Sequence, residues 1–125
     1  MEGKMRTIAT YAVCLVLLSG APAYADDSVN HYLPGCRAVG QEAMPESVRV
    51  KIRMFQCMAI VDAIFALNER WWFGTGGTFC SPEGVTTGQA VQVAVSYVEK
   101  MPEDWHYPFA VKALKAFKEA WPCPK

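Results

Sequence analysis

Set the first 25 residues aside and every cysteine left in this chain, Cys36, Cys57, Cys80 and Cys123, has a potential partner. The segment removed has the order of a secretory leader. Lys4 and Arg6 give a short positive stretch, Ile8 to Leu18 an apolar run, and Ala23-Tyr24-Ala25 a small-x-small cleavage pattern. That run is shorter than the ~20 apolar residues a membrane span needs, so a removed leader is expected over a retained anchor. Cys14 lies within the run and leaves with it; Tyr11-Ala12-Val13 lacks the leucine of a lipid-attachment motif. An even cysteine count in a short exported chain predicts disulfides in an oxidising space, here the periplasm.

The expected mature product runs from Asp26 to Lys125, 100 residues, which suits one domain. Without Lys4, Arg6 and Glu2 the chain has ten basic and eleven acidic residues, a formal charge of −1. So neutral a chain has no polybasic footprint, which excludes nucleic acid and anionic lipid as main partners. Lys112, Lys115 and Lys118 are spaced as the wet side of a helix.

Helical periodicity dominates the mature region. Asp26 to Met44 opens polar, and Pro34-Gly35 is a turn signal that predicts a short helical turn or loop placing Cys36 against the body. From Pro45 to Glu69 a long helix is expected. Phe55, Met58, Val61 and Phe65 form one strip of it, with Cys57, Ile60, Ile64 and Leu67 beside them. Its second half is apolar nearly all round, which predicts a central helix packed on several sides. Arg70 to Gly84 breaks the pattern with Trp71-Trp72-Phe73 followed by Gly74, Gly76 and Gly77, a loop long enough to point to function. Thr86 and Gln89 have capping-box spacing, and Val91, Ala94, Val95, Val98 and Met101 continue an amphipathic helix to Pro102. A last helix from about Pro108 carries Ala110, Ala113, Leu114, Phe117 and Trp121 on one side and stops at Pro122-Cys123-Pro124. The expected architecture is all-α: a small bundle of three to four helices braced by two disulfides.

Four thiols allow three pairings, and the sequence does not choose among them. Cys36 with Cys57 and Cys80 with Cys123 is the preferred set. It would pin the N-terminal segment to the central helix and tie the start of the capped helix to the end of the last one. Each bridge would contribute roughly 3–4 kcal/mol through loop closure. A metal or redox centre is the alternative, but there is no Cys-x-x-Cys, and neither His31 nor His106 stands at metal-ligand spacing from a cysteine. No cofactor is expected.

The stretch from Phe79 to Gln89, with Cys80-Ser81-Pro82 and Val85-Thr86-Thr87-Gly88-Gln89, resembles the Rap/Tai-type amidase immunity proteins of type VI secretion. So do Pro102-Glu103-Asp104-Trp105-His106 and the ending Glu119-Ala120-Trp121-Pro122-Cys123. Upstream, Cys57 and Val61-Asp62-Ala63 are similar to that family's central helix, although Ala59 stands where a glycine is more usual and Trp71-Trp72-Phe73 has no counterpart. The resemblance implies a periplasmic, all-helical, disulfide-bonded protein, often a homodimer, with no catalysis of its own. It implies a protein partner, a peptidoglycan-cleaving amidase whose active-site cleft the immunity protein occludes by shape.

Two segments are candidates for that contact. Trp71, Trp72 and Phe73 are large apolar anchors beside glycines that permit close backbone approach; the alternative is that they cover the core and the glycines only turn the chain. Trp105 and His106 lie between two helices, where a histidine can also serve simply as a cap. An enzyme is not expected. The cysteines are better used as bridges than as nucleophiles, and no pair of carboxylates stands out for acid–base work. The competing readings are a small periplasmic stress chaperone of the HdeA-like kind, also helical and disulfide-braced, and an envelope structural factor.

Overall fold

Ser28 sets where the first helix begins. Its hydroxyl accepts the His31 amide at 3.3 Å, and α1 follows over Val29–Ala38. The computed structural model describes residues 26–70 and 78–125, so the expected leader and Trp71-Trp72-Phe73 lie outside the described residues. Pro34-Gly35, read from the sequence as a turn signal, is inside α1 instead. Pro34 is exposed, and having no amide hydrogen it offers none to the Asn30 carbonyl one turn before.

Gly35 explains why this helix tolerates poor helix formers. A Cβ built on it would lie 2.3 Å from the Arg53 carbonyl carbon and 2.4 Å from the Met54 amide nitrogen. Only a residue without a side chain lets α1 lie backbone to backbone against α2, Val48–Arg70. Cys36, next to Gly35, crosses this contact to Cys57 with Cα atoms 5.5 Å apart. The second bridge joins Cys80 to Cys123 with Cα atoms 4.8 Å apart.

The long helix starts at Val48 rather than Pro45, where Ser47 receives the Val50 amide on its hydroxyl and the Lys51 amide on its carbonyl. Met54, Cys57 and Val61 are its buried side. In its second half Met58, Ile60, Ile64 and Phe65 pack against the core while Ala59, Ala63, Ala66 and Leu67 are exposed, so the expected packing on several sides is met only in part. Helix α3, Thr87–Val98, has the full reciprocal capping box between Thr86 and Gln89. A 3-10 turn at Pro102–Asp104 leads to α4, Phe109–Ala120.

Helices α1 and α2 form one closely packed pair and α3 and α4 another, and the two pairs share one core. Leu33, Val61, Phe79, Val91, Val98, Phe109 and Phe117 are fully buried there. Among the described residues there is no strand, only an isolated bridge between Ser28 and Pro108. The architecture is thus a small all-α bundle with two disulfides. One lysine departs from expectation. Lys115 and Lys118 are exposed, but Lys112 is buried at 5% exposure, with its ammonium bonded to the Asp104 carboxylate.

Candidate partner-binding surface

The corner between α3 and α4 is held from three directions. The Asn30 amide donates to the Trp105 carbonyl, the Val29 amide to the Tyr107 carbonyl and the Phe109 amide to the Asp27 carbonyl, at 3.0, 3.0 and 2.8 Å. The start of α1 is therefore stitched to residues 105–109. Trp105 turns inward: its indole N–H donates to the Val98 carbonyl at 2.8 Å, and the Arg37 guanidinium lies 5.6 Å from its ring. Arg37 is itself fixed by Glu99 at 2.7 Å. His106 and Tyr107 are exposed, with ring centroids 4.1 Å apart. His106 Nδ1 is 3.0 Å from the Glu103 carbonyl oxygen.

Beneath these rings sits the Asp104–Lys112 pair. The Lys112 ammonium is 4.8 Å from the Tyr107 ring centre, so Tyr107 roofs the ion pair. The hydrogen bond from Lys112 holds the Asp104 carboxyl below its ordinary value, aided by the charges of Lys112, His106 and Lys115. The corner thus presents two exposed, mutually tilted rings, with the fixed ion pair under Tyr107.

The second candidate segment, Trp71 to Phe73, lies outside the described residues, but its downstream flank does not. Asn68 near the end of α2 accepts the Thr78 amide at 2.7 Å and the Phe79 amide at 3.3 Å, and donates to the Phe79 carbonyl at 2.9 Å. One amide side chain thus clasps the returning strand of chain. Phe79 then packs against Phe65, Phe117 and Trp121 at centroid distances of 5.1, 5.3 and 6.3 Å. Cys80 donates its amide to the Trp121 carbonyl at 2.8 Å beside its bridge to Cys123.

The two candidates are therefore not brought together at their anchored ends. Trp105 and His106 precede the first turn of α4, whereas Phe79 touches its last turn, roughly 18 Å away along a twelve-residue helix. Sequence reading passed over Asn68 and Arg37, and placed Lys112 on the wet side of its helix. Asn68 could have been found as a polar residue among the apolar ones at a helix end beside a Gly-rich loop. A shallow groove of about 370 Å³ between α3 and α4 has a mostly apolar lining, with Val93, Tyr97, Ala116 and Ala120 beside Gln92 and Lys100. Among the described residues no cluster of three or more His, Cys, Asp or Glu could hold a metal ion. Also among them, no helix is long and apolar enough to cross a membrane.

No curated protein and no solved structure shows significant similarity to the chain. A family model does match, over residues 18–123, and its description is Rap1a immunity proteins. That span contains the four helices found among the described residues, both disulfides and both candidate segments. The chain belongs to the family of Rap1a immunity proteins.

Proposed function

We propose that the mature chain, residues 26–125, is a periplasmic, non-catalytic inhibitor of a peptidoglycan amidase delivered by type VI secretion. Residues 1–25 act as the removed signal peptide, and the product works as a homodimer. It blocks the amidase cleft with Trp71, Trp72 and Phe73 on one segment and with the Trp105–His106 corner on the other. The observation that carries this reading is family membership over nearly the whole chain, since immunity proteins act on a secreted effector. The scaffold adds physical support. Asn68, the Cys80–Cys123 bridge and the α1 backbone bonds hold the flanks of both segments in place, which lowers the ordering cost of binding.

The test is a titration of candidate type VI amidases with the oxidised mature protein while peptidoglycan cleavage is followed. Cleavage should fall to zero at stoichiometric inhibitor, and Trp71→Ala with Trp72→Ala should weaken inhibition with the fold intact. A fold-competent double variant with undiminished affinity would remove that segment from the contact. The HdeA-like chaperone reading draws on one observation, the reliance of buried Lys112 on an acid-labile carboxylate. Failure to inhibit any candidate, together with suppressed client aggregation at low pH, would favour it.

A further inference from the structure

Helices α2 and α4 meet at Phe65 and Phe117, whose ring centroids are 5.2 Å apart. Beside that contact is a notch of about 190 Å³, lined by Ile64 and Leu67 of α2 and by Ala110, Val111 and Leu114 of α4. Every lining residue is aliphatic. Leu67 and Val111 are each 48% exposed, so the notch is open to an incoming group. Its walls offer a water molecule no side-chain hydrogen bond, and an apolar group that displaces such water gains by doing so. Size narrows the occupant. Sites for small organic ligands usually enclose ~300–1,000 Å³, and this notch is smaller, the scale of one anchoring side chain in a protein interface.

Charge narrows it further. Lys115 and Lys118 stand four residues after Val111 and Leu114, one turn further along the same side of α4. Both are exposed, and neither forms an ion pair among the described residues. No Asp or Glu lies three or four residues from any residue that lines the notch. The nearest acidic group towards the start of α4, Asp104, is already bonded to Lys112. An apolar hole with two uncommitted ammonium groups on its rim is complementary to an apolar side chain with carboxylates next to it. The long lysine stems can also lie over the seated group and shield it from water.

We propose that this notch is an anchor pocket for a partner protein: it seats one bulky apolar side chain of an acidic segment, and Lys115 and Lys118 pair with the carboxylates next to that anchor. The proposal rests on the reading above for the partner's being an amidase, and adds the chemistry of the segment that the amidase presents here.

The experiment uses the oxidised mature chain and has two arms. The first needs no amidase. Methyl resonances of Ile64, Leu67, Val111 and Leu114 are followed as a capped pentapeptide is added at millimolar concentration, a phenylalanine flanked by aspartates and glutamates. The four should shift together, and the same peptide with lysines in place of its acids should shift them at least ~5-fold less. No shift, or equal shifts with both peptides, overturns the proposal. In the second arm an amidase that the parent inhibits is titrated with Val111→Asp, which sets a carboxylate at the mouth, and with Ala110→Leu, which fills the notch. Both positions are exposed, so helical content and Tm should match the parent's. Each variant should raise Kd at least ~30-fold. Lys115→Glu with Lys118→Glu should slow association ~10-fold and remove most of its salt dependence. An unchanged Kd in either notch variant overturns the proposal and leaves amidase inhibition intact. Self-association that Val111→Asp abolishes in sedimentation equilibrium gives the notch to a second copy and also overturns it. If the parent inhibits no amidase, the reading above fails, and the peptide arm still decides the notch.

Discussion

Replacing Gly35 by alanine sets two known effects against each other at one atom. Alanine is the better helix former, and in the interior of α1 it should contribute about 1 kcal/mol of stability. The added methyl would stand 2.3 Å from the Arg53 carbonyl carbon and 2.4 Å from the Met54 amide nitrogen, where ordinary contact begins at 3.4 Å. These obstacles are backbone atoms of α2, so no side chain can swing aside. The helices must separate by about 1 Å, against the Cys36–Cys57 bridge one residue away. Overpacking of this kind costs about 3 kcal/mol at the upper end of its usual range, which leaves a net loss of about 2 kcal/mol. For a domain of this length that is a fall in Tm of roughly 8–16 °C, read by thermal unfolding under non-reducing conditions. Gly88→Ala is the control. Its new methyl would meet only the Thr86 hydroxyl at 3.9 Å, so Tm should hold or rise by a few degrees. A Gly35→Ala protein as stable as its parent would refute the backbone-to-backbone packing of α1 on α2.

Three further outcomes are expected. Paired Cys→Ala replacements should cost about 3 kcal/mol for Cys36–Cys57 and about 4 kcal/mol for Cys80–Cys123, in the order of their enclosed loops, as measured by urea unfolding. Equal effects would mean that packing rather than loop closure dominates. Asn68→Ala should lose about 1–3 kcal/mol, because the Thr78 and Phe79 amides lose their shared acceptor, and hydrogen exchange at those two amides should accelerate. Asp104 titrates below the ordinary 3.8 when folded, so its contribution is complete above that value and is lost as pH falls through the lower folded value. The Tm gap between parent and Asp104→Asn should therefore be flat above about pH 5 and shrink below pH 4; a gap that widens on acidification would contradict this sign.

Local signals carried most of the helix map. Thr86 and Gln89 announced α3 because a capping box is contained in four residues, and Pro108 and Pro122 bounded α4 because proline acts on its own backbone. Pro34-Gly35 misled for the opposite reason. Its meaning lies in the approach of Arg53 and Met54, which are distant in sequence, so the same dipeptide that marks a turn instead marks a helix contact. Lys112 was assigned to solvent by its spacing with Lys115 and Lys118, and only the fold brings Asp104 and Tyr107 around it. Phe55 and Leu67 were legible as apolar residues of α2, but periodicity cannot say that both would be left exposed. At the candidate contact, the aromatic residues were legible in the sequence, while the inward turn of Trp105 depends on the Val98 carbonyl and was not.

The most direct measurement is survival of bacterial cells challenged with a type VI peptidoglycan amidase directed to the periplasm. Cells producing the full chain should survive, and cells producing residues 26–125 without the leader, confined to the cytosol, should lyse. Lysis in both, or equal protection by both, would contradict an exported protein that acts by occupying the amidase.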